Sequence, residues 1–130
     1  MVKKYEESLA DLTKSLEIEP DNAFALRIRG DTYRMMSRYE ESLVDLNKSL
    51  EIEPKNAFAL QIRGDTYRMM NKYEESLADL NESLEIGPNN AVTFRLRGAI
   101  YRMMNRYEES LADLNKSLEI KPNNAFSQKH

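Results

Sequence analysis

The sequence lacks most of the side chains on which enzymes and metal sites depend. It contains no cysteine, which excludes disulfides and thiolate chemistry, and its single histidine is His130, the last residue. A histidine base, a histidine metal site or a catalytic triad therefore cannot be assembled. Glycine is scarce as well, with four residues, and none belongs to a glycine-rich phosphate loop. We predict that the chain is not an enzyme and binds no cofactor and no metal ion.

Long apolar runs and a strong net charge are also missing. No stretch approaches the ~18 consecutive apolar residues of a membrane-spanning helix, and the residues after Met1 form no apolar signal segment. We therefore expect a cytoplasmic protein without membrane contact. The net charge is only -3. This value argues against nucleic-acid binding, because domains that contact phosphates are usually basic.

A 34-residue period dominates what the sequence does contain. The segment Tyr5–Arg38 recurs as Tyr39–Lys72 with only six substitutions, and the same pattern restarts at Tyr73 and at Tyr107. Self-similarity at such a period indicates supersecondary units that bury their apolar faces only by stacking on their neighbours. We therefore expect one domain over residues 1–130 whose function lies in a surface built by stacking.

Each period predicts two helices of different character. In the first of them, apolar residues at i, i+4, i+7 and i+11 form the single stripe of an amphipathic helix over Tyr5–Glu19, which Pro20 ends. Asn22 is then the expected N-cap of a helix over Ala23–Met36. That helix has two apolar stripes. The stripe with Ala23, Leu26, Gly30 and Tyr33 is predicted to face the partner helix, and the stripe with Phe24, Ile28, Asp31 and Met35 is the candidate binding surface.

Seven positions of the period carry a recurring pattern of residues. In this pattern the chain resembles the tetratricopeptide repeat family, whose helix-turn-helix unit of 34 residues has a large apolar residue, a glycine, a tyrosine, small residues and a closing proline at such positions. The matching residues are Leu26, Gly30, Tyr33, Ser42, Leu46, Ser49 and Pro54, then Leu60, Gly64, Tyr67, Ser76, Leu80, Ser83 and Pro88, then Phe94, Gly98, Tyr101, Ser110, Leu114, Ser117 and Pro122.

The resemblance implies an all-α protein, an α-solenoid of stacked antiparallel helix hairpins that forms a right-handed superhelix of about seven helices. In the family's frame the chain opens with an orphan second helix in residues 5–22. Three full repeats follow at 23–56, 57–90 and 91–124, and residues 125–130 begin a truncated helix. First helices are expected on the concave face and second helices on the convex back.

Serine stands at the small positions of the second helices where the family usually has alanine. A serine hydroxyl can bond to the i-4 carbonyl, and we expect the fold to tolerate it. An arginine stands immediately before each helix glycine. Because a partly buried arginine needs a partner, we predict pairing with an aspartate of a neighbouring second helix in preference to a ligand role. The arginines are Arg29, Arg63 and Arg97, and the available aspartates are Asp11, Asp45, Asp79 and Asp113.

The turn between the two helices of a unit carries Ser37, Asn71 or Asn105, where the family often has glycine. Asparagine tolerates the left-handed conformation of a tight helix-helix turn, and serine does so less well. The turn at Ser37 is therefore predicted to be the weakest.

The outward stripe of the first helices is the candidate groove. Arginines outnumber acidic residues on the first helices, whereas the second helices are acidic, so we expect a basic groove and an acidic back. Its apolar floor, which also includes Val92, is either open to a ligand or buried between neighbouring first helices, and both alternatives stay open. The candidate groove residues are Phe24, Arg27, Ile28, Asp31, Arg34, Met35, Phe58, Gln61, Ile62, Asp65, Arg68, Met69, Arg95, Leu96, Arg102 and Met103.

Related arrays bind peptides in this groove, and one subset holds the C-terminal carboxylate of chaperone tails with lysine, arginine and asparagine. The matching positions here are Arg27, Asp31, Asp65, Arg95 and Ala99. Two expected asparagines are thus aspartates, which disfavours such a clamp unless neighbouring arginines pair with them.

Two functions are therefore expected to compete. The first is a protein-interaction scaffold that binds an acidic or amphipathic peptide in the basic groove. The second is a self-associating array, natural or engineered, whose main partner is a second copy, because its terminal helices carry the apolar stripe of interior ones. Such a homo-oligomer would form by end-to-end stacking or by exchange of helices, with Ser37 as the hinge.

Overall fold

The computed structural model describes residues 2–120, and these form seven α-helices joined by short turns. The predicted helices are confirmed, except that the first begins at Val2 instead of Tyr5. The expected truncated helix at residues 125–130 lies outside the described residues. The helices are α1 (Val2–Ile18), α2 (Ala23–Met35), α3 (Tyr39–Ile52), α4 (Ala57–Met69), α5 (Tyr73–Ile86), α6 (Ala91–Met103) and α7 (Tyr107–Ile120).

Asparagine caps begin the first helices α2, α4 and α6. The side chain of Asn22 accepts a hydrogen bond from the Ala25 N–H at 3.0 Å, and Asn56 does the same for Ala59 at 3.0 Å. Such a cap satisfies an N–H group that has no partner within the helix. The predicted cap at Asn22 is confirmed.

Each first helix ends in a turn that requires the left-handed backbone conformation. Ser37, Asn71 and Asn105 have φ angles of 62°, 63° and 62°. In the first turn the N–H of Arg38 bonds to the carbonyl of Tyr33 at 2.8 Å, which is the long bond of a Schellman motif. The conformation predicted for these three residues is confirmed. Ser37 occupies it without the side-chain amide that favours asparagine there.

Glycine allows the two helices of a pair to pack closely. A Cβ atom added at Gly30 would lie 2.8 Å from Cγ of Leu46, and one at Gly64 would lie 2.9 Å from Cδ2 of Leu80. Leu46 and Leu80 have no exposed surface. The stripe of α2 that carries Gly30 therefore faces the second helix α3, as its spacing predicts.

The helices stack in one row of pairs. The most extensive contacts join α2 to α3, α4 to α5, and α6 to α7, and smaller contacts join each pair to the preceding helix. Within residues 2–120, α2 also approaches α4 and α4 approaches α6, whereas α3, α5 and α7 do not approach one another. The array therefore curves toward the row of α2, α4 and α6, and this inner face is called the groove below. The architecture is an α-solenoid.

Five of the six buried serines of α3, α5 and α7 donate a hydrogen bond across the helix pair, and Ser42 bonds to Thr66 of the next first helix instead. Ser49 donates to the carbonyl of Ala23 at 2.9 Å, and Ser76 donates to the carbonyl of Gly64 at 2.6 Å. These hydroxyls do not use the i-4 carbonyl that serine can reach, because small residues bring the neighbouring backbone within their reach. The i-4 bond is made on the first helices instead, where Thr32 donates to the carbonyl of Ile28 at 2.9 Å.

In the stretch from Val2 to Ile120, no helix combines the length and the apolar character that crossing a membrane would require.

Candidate functional site

A repeated arginine clamp fixes the helices behind the groove. Nε and NH2 of Arg63 donate to the two carboxylate oxygens of Asp79 at 2.8 and 2.7 Å. Arg29 forms the same two-bonded pair with Asp45, and Arg97 forms it with Asp113. The predicted arginine–aspartate pairs are thus confirmed in all three units. Asp11, the fourth aspartate considered, is exposed on α1.

Each clamp arginine also reaches the helix before it. NH1 of Arg63 donates to the side-chain oxygen of Asn47 at 2.9 Å, so this guanidinium joins α3, α4 and α5. Arg97 bonds to Asn81 in the same way, and Arg29 bonds to Thr13 at 3.3 Å. Sequence reasoning missed this second partner. A signal was present, because a threonine or asparagine stands 16 residues before every clamp arginine.

Electrostatics reinforce the clamps. The hydrogen bond to Asp79 raises the pKa of the Arg63 guanidinium above its ordinary value, and this effect exceeds the lowering by burial. The pKa values of Arg29 and Arg97 are raised by their aspartates for the same reason. Only 6% of the Asp79 side chain is exposed, against 23% for Arg63. The clamp arginines are therefore committed to the fold and are not available to a ligand.

A second set of ion pairs runs along the groove itself. Arg34 donates to Asp31 of its own helix at 2.9 Å and to Asp65 of the next first helix at 2.7 Å. Asp65 also accepts from Nε of Arg68 at 2.9 Å. We call this chain of four residues the ladder. It pairs two of the expected basic residues of the groove with two acids, so α2 and α4 present little net charge there.

The outer positions of the apolar floor are open to solvent. Phe24 and Phe58 are 64% and 60% exposed, and the methionines at positions 35, 69 and 103 are 43%, 46% and 55% exposed. Neighbouring first helices therefore do not cover these side chains. Ile28, Ile62 and Val92 are half-buried between the helices.

Two expected groove residues are engaged elsewhere. Leu96 is only 6% exposed and packs with Leu80 and Ile100 in the core, so its assignment to the groove surface was wrong. In α6 this position packs against Leu80 of the preceding helix α5, whereas the equivalent isoleucines of α2 and α4 stay half-buried. Gln61 accepts hydrogen bonds from Asn90 at 3.1 Å and Thr93 at 3.2 Å, and it thereby ties α4 to α6.

Arg27 lies against both phenylalanines. Its guanidinium carbon is 5.1 Å from the centre of the Phe24 ring and 5.7 Å from that of Phe58, within the range of cation–π attraction. Within residues 2–120, its Nε is buried and has no hydrogen-bond partner. The two rings thus hold a guanidinium whose Nε–H is buried and makes no hydrogen bond to another described residue.

The basic charge of the groove is concentrated on α6. This helix contains no acidic residue, and its Arg95 and Arg102 are exposed. Within residues 2–120, neither has a carboxylate oxygen within 4.0 Å. The described residues also contain no cluster of three potential metal ligands.

The last helix exposes an apolar stripe that interior helices cover. In α7, Leu111 is 61% and Leu118 is 57% exposed. The residues equivalent to Leu118 in α3 and α5, Leu50 and Leu84, are 7% and 8% exposed, because the following first helix packs on them.

Two family models match the chain, and both describe the tetratricopeptide repeat. The first covers residues 56–123 and the second covers residues 28–56. No curated protein sequence matches the chain significantly.

Solved structures of similar fold share 16–26% sequence identity with the chain. A crystal structure of MamA has a TM-score of 0.83 at 20% identity and covers 91% of this chain and 69% of that one. MamA from Desulfovibrio magneticus RS-1 has a TM-score of 0.84 at 16% identity and covers 99% and 71%. The first TPR of Spaghetti (RPAP3), bound to the HSP90 peptide SRMEEVD, has a TM-score of 0.75 at 23% identity and covers 82% and 85%.

Proposed function

The chain belongs to the tetratricopeptide repeat family, and from this premise we propose that it is a protein-interaction scaffold that binds an acidic or amphipathic peptide segment in the groove of α2, α4 and α6. The observation that carries the proposal is the exposed row of phenylalanines and methionines beside arginines that pair with no carboxylate of residues 2–120. An apolar floor with a few charged groups is the composition expected of a peptide-binding groove. Methionine suits such a surface because its flexible side chain adapts to different partners.

We propose that each helix pair is one repeat unit, with boundaries at 23–56, 57–90 and 91–124 and with residues 5–22 as an orphan second helix. The extensive packing within the pairs and the smaller contacts between them support these boundaries. A ligand would then contact three equivalent first helices in succession.

The proposed preference for acidic segments follows from the charges that remain after pairing. The clamp and the ladder account for Arg29, Arg34 and Arg63, whereas Arg95 and Arg102 keep exposed guanidinium groups. The related structure of RPAP3 holds a peptide with the sequence SRMEEVD, which is itself rich in acidic residues. Arg34 and Arg68 pair with Asp31 and Asp65, which removes the repulsion expected for a chaperone-tail carboxylate. We do not extend the proposal to such a clamp, because the two aspartates offer no amide donors.

Reversing two groove charges should reverse the preference for acidic peptides. An acidic peptide with spaced leucines should bind more tightly than its lysine analogue, and added salt should weaken it because the contacts are exposed. The double variant Arg95→Glu/Arg102→Glu should bind the acidic peptide about tenfold more weakly and the lysine analogue more tightly. Fluorescence anisotropy of the labelled peptides would measure both affinities.

The control for that experiment is a double variant with the same charge change outside the groove, Lys14→Glu/Lys116→Glu, since both lysines are exposed on second helices. It should leave the ratio of the two affinities unchanged. Acidic-peptide binding that ignores both salt and the groove charges would contradict the proposal.

The exposed stripe of α7 favours self-association as the second candidate function. A second copy that covers Leu111 and Leu118 would remove the apolar surface that interior helices bury against a first helix. Light scattering over a concentration series should show dimers or larger assemblies at high micromolar concentration. Leu118→Glu should weaken the assembly by about tenfold or more, since a charge would be desolvated in the contact.

Val44→Glu is the matched control for the assembly experiment. Val44 is 68% exposed on α3, in the middle of the array, and its substitution should not change the assembly. A wild-type chain that remains strictly monomeric at high micromolar concentration would exclude this function.

A further inference from the structure

The ladder stops at the third unit because one residue changes. Asp31 and Asp65 occupy the same position of successive units, and Ala99 occupies that position in α6. The side chain of alanine cannot accept a hydrogen bond. The arginines that would surround a carboxylate at this position are nevertheless present.

Asp65 shows what the missing carboxylate would contact. It accepts from Arg34 of the preceding first helix at 2.7 Å, and from Arg68, three residues later in its own helix, at 2.8 Å. For position 99, the corresponding residues are Arg68 on the preceding first helix and Arg102 three residues later. From the equivalence of the units, we therefore expect both guanidinium groups beside a place that the chain itself fills with a carboxylate one unit earlier.

The neighbouring charges leave this place basic. Arg68 already forms an ion pair with Asp65, but its side chain remains 31% exposed. Arg102 is exposed, and within residues 2–120 no carboxylate oxygen lies within 4.0 Å of its guanidinium. Ala99 is half-buried, and its side chain is smaller than those of the aspartates at the equivalent positions of α2 and α4.

We propose that Arg68 and Arg102 form the acid-specific part of the groove and bind the carboxylate of a ligand's aspartate or glutamate above Ala99. This inference rests on the proposed peptide-binding function. It adds the position of the ligand's acidic residue and the orientation of the ligand in the groove. Acidic residues of the ligand lie at α6, and its apolar residues lie over the phenylalanines of α2 and α4, where Arg34 is already paired with Asp31 and Asp65. Charge-assisted bonds of this kind are about twice as strong as neutral ones, which makes the position decisive for specificity.

The ladder indicates that a carboxylate fits this place better than a phosphate. In the second unit, the two arginines enclose one carboxylate at ordinary hydrogen-bond distances of 2.7 to 2.9 Å. The third unit keeps the same two donors and the same spacing. A phosphorylated peptide is accordingly one arm of the test.

The test places at position 99 the aspartate that the two preceding units carry. Ala99→Asp should supply an internal carboxylate to both arginines and exclude the ligand's own. The probe is a labelled peptide with spaced leucines and glutamates, acetylated and amidated so that its only carboxylates are side chains. Ala99→Asp should bind this probe about tenfold more weakly than the wild type. Ala99→Asn, which has the same shape without the charge, should lose much less.

A second readout follows the arginines directly. In ¹⁵N NMR spectra, the Nε–Hε signals of Arg68 and Arg102 should shift when the glutamate probe is added to the wild type. The same two signals should already be shifted in free Ala99→Asp. If neither moves in that variant, the arginines do not reach position 99 and the proposal is overturned.

Two further probes separate the outcomes. A glutamine version of the probe should bind more weakly than the glutamate version and should bind the wild type and Ala99→Asp almost equally. If both probes bind and Ala99→Asp affects neither, the groove binds peptides but this site does not exist. If neither probe binds the wild type, the proposed function fails together with the site. A phosphoserine probe that binds far more tightly than the glutamate probe, and loses this advantage in Ala99→Asp, would assign the site to phosphate instead.

Discussion

Replacing Asp79 by alanine should lower the free energy of unfolding by about 3 kcal/mol, because the substitution leaves a partly buried guanidinium without its carboxylate. Exposed ion pairs contribute only ~0 to 1 kcal/mol, since water solvates and screens both charges. The Asp79 pair differs in that its carboxylate is 6% exposed and accepts two bonds from Arg63. Urea denaturation followed by circular dichroism would measure the loss.

The chain contains a matched control for this experiment. Asp11 stands at the same position of the repeat on α1, but it is exposed and takes no part in a clamp. Asp11→Ala should therefore change the free energy of unfolding by less than about 0.5 kcal/mol. The double variant Arg63→Met/Asp79→Leu should recover much of the lost stability, because apolar residues of similar volume can replace a buried pair. Equal losses in Asp11→Ala and Asp79→Ala would show that the clamp contributes nothing specific.

The substitution Gly64→Val should destabilise the array by about 3 kcal/mol, because the added side chain overlaps with its neighbours. Even a single Cβ atom at this position would lie 2.9 Å from Cδ2 of Leu80, a side chain with no exposed surface into which it could move. Gly64→Ala should lose less, since the higher helix propensity of alanine returns about 1 kcal/mol. Thermal unfolding of the two variants beside the wild type would give this order.

Gly87→Ala provides the comparison for the helix glycine. The nearest atom to a Cβ at Gly87 is the Ser83 carbonyl oxygen at 3.8 Å, and the φ angle of -128° is one that alanine adopts freely. This substitution should be neutral or stabilising by about 0.4–1 kcal/mol, because it restricts the unfolded chain. A Gly64→Val variant as stable as Gly87→Ala would disprove the close-packing argument.

The periodic features of the fold could be predicted from the sequence. Helix faces follow from apolar spacing, and the arginines beside the glycines needed partners that only the neighbouring second helices could offer. The left-handed turn at Ser37 was predictable because a tight helix-helix turn restricts the residue at its corner. Each of these features follows from the spacing of residues along one helix or from the needs of one residue at one position.

The features that the sequence did not predict depend on the distance between helices. The serine hydroxyls reach across to a neighbouring carbonyl, which requires the close approach that Gly64 permits. Leu96 is buried although its equivalents are only half-buried, because it packs with Leu80 of α5 in the core. The second partner of each clamp, such as Asn47, lies on a helix two elements before the aspartate. Spacing along one helix carries no information about such positions.

The clamps give successive boundaries between units the same chemistry. Asn47 and Asn81 present the same amide to the next clamp arginine, and Asp79 and Asp113 present the same carboxylate. If residues 57–90 were absent, Asn47 would therefore contact Arg97 in the same way as it now contacts Arg63. The number of units can thus vary while the clamp at each boundary keeps its chemistry, so the length of the groove can change in whole units.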